Sequence, residues 1–102
     1  MKRKLKALVR PENVSSEIWF AVWVADGVYQ ELGATAIVIT SLTDGRHSIG
    51  SKHHCGKAVD LRIWTLDEDK RKPAVHLIQH RLGGGYFVLL EKDHIHIQYN
   101  GL

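Results

Sequence analysis

Apolar side chains recur every three or four residues in two segments of the chain, and this spacing predicts two amphipathic helices. The first helix begins at the serine pair 15–16, which can cap it, and runs to Leu32 before Gly33 stops it. Trp19 and Trp23 fall off its apolar face, and we expect a packed loop to cover them. The buried face is expected to contain Ile18, Val22, Ala25, Tyr29 and Leu32.

The second helix follows the acidic residues 67–69 and runs to about Leu82, where three consecutive glycines end it. His76 and His80 lie four residues apart on this helix, a spacing that can bind a metal ion. The apolar positions are centred on the opposite side, so we interpret both histidines as surface residues that face water. Those apolar positions are Ala74, Leu77, Ile78 and Leu82.

The remaining apolar segments are short and predict strands. Residues 36–40 are continuous and β-branched, which is typical of a central strand, and residues 86–91 form another apolar run. Residues 58–64 and 94–99 alternate between apolar and polar side chains, as strands with one buried face do. Residues 5–9 are a candidate edge strand, closed by a proline. The core side of the two alternating strands is expected to hold Val59, Leu61, Ile63, Ile95, Ile97 and Tyr99; the opposite side holds Ala58, Asp60, Arg62, Trp64, His94, His96 and Gln98.

The order of these elements predicts one α+β domain over residues 1–102, with a largely antiparallel sheet packed by two helices. A chain of 102 residues can bury one modest core, and its 44% hydrophobic and 25% charged residues are ordinary for a globular protein. The long polar segment from 41 to 57 lies inside this domain, and loops of that length are usually functional or disordered. We favour a functional loop.

The charge and the cysteine content bear on the compartment in which the protein is made, but they do not identify a binding partner. The net charge is +3, and much of the excess is in the basic residues 2–6, which we interpret as a solubilising terminus. The single Cys55 cannot form an internal disulfide. The basic start is not followed by an apolar run of signal-peptide length, and no segment approaches a membrane span. We therefore expect synthesis in the cytoplasm and no membrane partner. The basic charge suits polyanions such as nucleic acid or the cell wall without choosing between them; we predict no nucleic-acid partner and favour a monomer.

Four polar residues suggest a metal site on the sheet face that points away from the core. Asp60 lies on one alternating strand, and His94 and His96 lie on the other. If the two strands share a sheet, these side chains converge, with His53 arriving from the preceding loop. Two imidazoles and a carboxylate suit zinc, and three protein ligands leave the open position of a catalytic site.

The same residues resemble a known family of zinc peptidases. The motif Ser51-x-His53-x-x-Gly56-x-Ala58-x-Asp60, followed by Asp93-x-x-His96, is similar to that of the D-Ala-D-Ala carboxypeptidases and dipeptidases. This wider group includes L-alanyl-D-glutamate phage endolysins, lysostaphin-type and penicillin-insensitive murein endopeptidases, and the hedgehog signalling domain. The resemblance covers roughly residues 37–99. In the motif, Gly56 permits the bend and Ala58 leaves space below the ligands.

The resemblance implies one zinc ion bound by His53, Asp60 and His96, with Ser51 supporting the first ligand. It also implies a general base three residues before the last ligand, which is Asp93, and an oxyanion-stabilising His94. Glu91 is the alternative base, since Glu91-x-x-His94 has the same spacing. We prefer Asp93 because it lies in a turn and can curl toward the metal.

The activity implied is hydrolysis of peptide bonds in peptidoglycan stem or cross-link peptides. Zinc lowers the pKa of bound water to about 7, and the carboxylate takes its proton. Arg46 and Arg62 are candidates to hold the oxyanion or a substrate carboxylate. The short chain without an export signal suits a phage or prophage product that reaches the cell wall after release.

Other interpretations of these residues stay open. A non-catalytic zinc-binding module of hedgehog-like type is the main alternative to an enzyme. We do not expect an HNH-type nuclease, although residues 93–95 and the basic pI suggest one, because that motif needs further Asn and His residues downstream and the sequence stops at Leu102. His47, His54 and Cys55 are additional ligand candidates in the loop, and we interpret them as ordinary loop residues.

Overall fold

A five-stranded sheet carries two helices on one of its faces. The computed structural model describes residues 1–6, 14–42 and 57–101. Along the chain the elements are β1 (Lys2–Leu5), α1 (Ser16–Glu31), β2 (Ala36–Leu42), β3 (Ala58–Arg62), α2 (Glu68–Leu82), β4 (Tyr86–Leu90) and β5 (His94–Tyr99). The strand order is β1-β2-β3-β5-β4, and every neighbouring pair except β1 and β2 is antiparallel. The predicted α+β class is confirmed.

Local signals set the ends of α1 as the sequence indicates. The Ser15 side chain accepts a hydrogen bond from the backbone N–H of Ile18 at 3.3 Å and so satisfies one of the free donors of the first turn. Gly33 follows the last turn with a φ of 82°, a left-handed conformation that costs glycine little. The predicted boundaries of this helix are confirmed to within one residue.

The core lies between the helices and one face of the sheet. Alternate residues of β3 and β5 point into it, and Val59, Leu61, Ile95 and Ile97 are almost fully buried there. Tyr29 of α1 is also fully buried, and its hydroxyl donates to the carbonyl oxygen of Arg62 at 2.9 Å. The other face of the sheet, called the open face from here on, therefore carries the polar members of each alternating strand.

The first strand differs from the prediction. It spans Lys2–Leu5 and pairs in parallel with β2, whereas the sequence suggested residues 5–9, of which 7–9 lie outside the described residues. Three of its residues, Arg3, Lys4 and Leu5, line a cavity together with the core residues Ile37 and Ile39. The apolar pattern alone misses such a strand, since most of its residues are basic.

The exposed side of α1 is also less covered than expected. Trp23 is 72% exposed and Trp19 39%, so the part of the chain that the structure describes leaves much of this surface open.

On α2, His76 and His80 are exposed, as predicted. Among the described residues, no helix is long and apolar enough to cross a membrane.

A buried carboxylate joins β1 to α1. Asp26 is buried and accepts hydrogen bonds from both the Nε and Nη2 atoms of Arg3, the latter at 3.0 Å, and from the Gln30 amide. Burial raises the pKa of Asp26, but the hydrogen bonds from Arg3 and Gln30 and the charge of Arg3 outweigh it, so the pKa lies below its ordinary value.

We expect Asp26→Asn to lower the free energy of unfolding by about 1–2 kcal/mol at neutral pH, because charge-assisted hydrogen bonds are lost. A lowered pKa stabilises the fold above the unfolded value of about 3.9, and this stabilisation disappears as the pH falls through the folded value. The difference between wild type and variant should therefore shrink below about pH 4 in urea titrations. Glu31→Gln is the control, since Glu31 pairs with Arg81 on the surface and should have a smaller effect. An equal effect of both variants, or one independent of pH, contradicts this account.

Candidate metal centre

The polar residues singled out on β3 and β5 do share a sheet and a face. The two strands are neighbours, and their register places Asp60 opposite His96 and Arg62 opposite His94. Because side chains alternate along a strand, all four lie on the open face. The sequence-based expectation that Asp60, His94 and His96 converge is therefore met by the fold.

Asp60 and His96 contact each other directly. The Oδ1 atom of Asp60 lies 2.8 Å from the Nδ1 atom of His96, and both side chains are 26% exposed. The hydrogen bond with Asp60 raises the pKa of His96 above its usual value, against the effect of burial, with smaller contributions from Gln98 and the charge of Glu91. This contact holds the imidazole of His96 and the carboxylate of Asp60 together at one point of the open face.

His94 lies between two carboxylates. Its Nε2 atom is 3.6 Å from Asp60 Oδ1, and its Nδ1 atom is 2.6 Å from Asp93 Oδ1. The Asp93 side chain is 70% exposed, and its hydrogen bond with His94 lowers its pKa. Sequence reasoning expected Asp93 to curl toward a metal; in the structure its carboxylate contacts the neighbouring His94.

Glu91, the alternative base, precedes the turn between β4 and β5. Its side chain is exposed, and its backbone N–H donates to the carbonyl oxygen of His94 at 2.8 Å. It also lines a cavity of about 330 Å³ together with residues of α2, including Glu68 and Lys72. The negative charge of Glu91 contributes to the raised pKa of His96. The carboxylate that contacts the imidazole of His94 is that of Asp93.

Sequence reasoning assigned no role to Gln98, which the structure connects to this group. Its Oε1 atom lies 3.1 Å from Nε2 of His96, and its amide nitrogen donates to Oδ1 of Asn100 at 2.6 Å. The alternation of β5 already placed Gln98 on the open face, two residues after His96. That spacing was the available signal, because residues i and i+2 of a strand are neighbours on one face.

The flanks of the group differ in chemistry. The guanidinium of Arg62 stacks over the ring of Trp64, 4.7 Å from its centroid. On the other side, Leu89 and Phe87 of β4 are 39% and 45% exposed and lie opposite His96 and Gln98 in the register. A molecule bound over Asp60 and His96 would meet a cation on one side and apolar side chains on the other.

Several predicted site residues fall outside the described residues. These are Arg46, His47, Ser51, His53, His54, Cys55 and Gly56. Ala58, the last small residue of the motif, is buried opposite Gln98. Within residues 1–6, 14–42 and 57–101, no group of three or more His, Cys, Asp or Glu side chains is arranged to hold a metal ion. The implied zinc set has only Asp60 and His96 in those ranges.

These two residues fit their part of such a site. Zinc binds imidazole nitrogen and carboxylate oxygen at about 2.0–2.2 Å, so two such ligands on a tetrahedral ion lie roughly 3.3 Å apart. The observed 2.8 Å between Nδ1 and Oδ1 requires only a small separation of the side chains. An imidazole and a carboxylate are also donors that zinc accepts. A third ligand has to come from elsewhere, and the resemblance assigns it to His53.

Comparison with protein-family models, curated proteins and solved structures finds no significant match. The family resemblance therefore depends on the motif residues themselves.

Proposed function

We propose that this protein is a zinc-dependent peptidase that hydrolyses peptide bonds of peptidoglycan stem or cross-link peptides. The observation that carries the proposal is the direct contact of Asp60 with His96 across two neighbouring strands, at the two motif positions that the resemblance assigns to metal ligands. In this proposal Asp60, His96 and His53 hold the ion. Zinc bound there would supply a Lewis acid and acidify a bound water molecule.

Asp93 and His94 supply proton transfer in this proposal. The sequence-based expectation gave that role to Asp93 alone, with Glu91 as the alternative. The 2.6 Å contact between Asp93 and His94 favours a pair, in which the carboxylate orients the imidazole and stabilises its protonated form. His94 is also the member nearer to Asp60, so it is the group that can exchange a proton beside the ligands.

Arg62, Leu89 and Phe87 contribute substrate binding in this proposal. A stem peptide carries a carboxylate and small alkyl side chains, and the open face offers a cation and apolar side chains on opposite sides of Asp60 and His96. Stacking on Trp64 restricts the guanidinium of Arg62, which lowers the entropy lost when it binds a carboxylate. This arrangement favours a peptide over a nucleic acid as the substrate.

Turnover of purified muropeptides tests the proposal. We expect zinc-loaded protein to cut one class of stem or cross-link peptide bond, identified by mass spectrometry of the products. A chelator should abolish cleavage, and added zinc should restore it. Zinc-loaded protein that cuts no stem or cross-link peptide contradicts the enzyme and leaves the hedgehog-like zinc-binding module.

A further inference from the structure

We infer that Gln98 is a positioning residue that fixes the ring of His96, so that Nδ1 is the nitrogen available to a metal ion. The inference depends on the metal site of the proposed function and is independent of peptidase activity. It starts from the contact between Gln98 Oε1 and His96 Nε2, at 3.1 Å. An amide oxygen only accepts hydrogen bonds, so the nitrogen that faces it carries a proton.

The orientation of the Gln98 amide is itself supported. Its nitrogen donates to Oδ1 of Asn100 at 2.6 Å, which directs its oxygen toward His96. The backbone N–H of Asn100 donates to the carbonyl oxygen of Gly85 at 2.8 Å and attaches the end of β5 to the start of β4. His96, Gln98 and Asn100 therefore form a row in which Nε2 of His96 faces the Gln98 amide oxygen and the Gln98 amide nitrogen faces the Asn100 oxygen.

The chemistry of the two ring nitrogens then follows. A protonated Nε2 has no lone pair for a metal, while Nδ1 faces the Asp60 carboxylate at 2.8 Å. Nδ1 of His96 and Oδ1 of Asp60 would hold a metal ion once the proton between them is released to solvent. Histidine ligands usually donate their other N–H to such a partner, which fixes the tautomer and makes the ring a better ligand.

Two substitutions of Gln98 distinguish the loss of its hydrogen-bond acceptor from a change in side-chain size. Gln98→Leu keeps approximately the same volume and removes the acceptor, so we expect zinc affinity to fall by about 10–100-fold. Gln98→Glu keeps an acceptor and should stay within a few-fold of wild type. Gln30→Leu is the matched control, because Gln30 bonds Asp26 on α1 and should leave zinc affinity unchanged. Affinities come from competition with a chromophoric chelator, and urea unfolding shows whether each variant is folded.

Nitrogen NMR of the His96 ring provides the readout that a merely structural role would not change. In zinc-loaded wild type we expect metal on Nδ1 and a proton on Nε2. In metal-free protein at mildly acidic pH, the Nε2 proton should be protected from exchange in wild type and lost from the spectrum in Gln98→Leu.

Metal on Nε2, or unchanged zinc affinity in folded Gln98→Leu, overturns the inference and leaves the proposed function standing. Wild type that binds no zinc, with a protected Nε2 proton, overturns the proposed metal site while the Gln98 contact remains. An unprotected Nε2 proton in metal-free wild type contradicts the contact itself.

Discussion

His96→Ala is expected to lower the zinc content of the purified protein from about one ion per chain to none. The change removes one of three proposed ligands, and two remaining ligands hold zinc poorly at neutral pH. We expect affinity to fall by more than the 10–100-fold that is typical for the loss of a residue behind a ligand. Asp60→Ala and His53→Ala should have the same result. Metal analysis after gel filtration, with competition titrations, measures the effect.

His76→Ala is the matched control for this experiment, since His76 is exposed on α2 and has no part in the proposed site. It should retain zinc at the wild-type level. Circular dichroism establishes that each variant is folded, which separates loss of the site from loss of the domain. Equal zinc content in folded His96→Ala and wild type contradicts the assignment of His96.

Asp93→Asn is expected to lower kcat for peptide cleavage by about 100-fold or more while zinc affinity stays unchanged. The neutral amide no longer stabilises the protonated ring of His94, so proton transfer slows. His94→Asn should reduce kcat to a similar extent. If the two residues act as a unit, the double variant should be little slower than either single variant.

Glu91→Gln separates the two candidate bases. We expect a milder fall in kcat than for Asp93→Asn, because the Asp93 carboxylate is the one in contact with the imidazole of His94. A larger fall in Glu91→Gln would transfer the base to Glu91. Additive losses in the Asp93→Asn, His94→Asn double variant would show that the two residues act separately.

Period-two alternation made the faces of β3 and β5 predictable from sequence. Val59 and Leu61 are apolar and buried, so the residue between them, Asp60, lies on the open face. His96 lies there for the same reason, because it stands between the buried Ile95 and Ile97. The pattern could not say which histidine lies opposite Asp60. That depends on the register of β3 with β5, and 31 residues (63–93), which include α2 and β4, lie between these two strands in the sequence.

Contacts between distant elements explain what the sequence did not predict. The contact of Arg3 with Asp26 joins residues 23 positions apart, and no local pattern announces it. The position of strand β1 was not predicted for the same reason, because a mostly basic segment forms a strand here through its pairing with the distant β2. Gln98 was placed on the right face, but its contact with His96 depends on side-chain conformation, which alternation does not determine.

A crystal structure of zinc-soaked protein, with anomalous diffraction measured at the zinc absorption edge, tests the metal centre most directly. We expect one anomalous peak on the open face, about 2.0–2.2 Å from Nδ1 of His96 and from a carboxylate oxygen of Asp60, with His53 as third ligand. A zinc peak elsewhere on the protein, or an intact hydrogen bond between Asp60 and His96 with no peak beside it, would contradict the account.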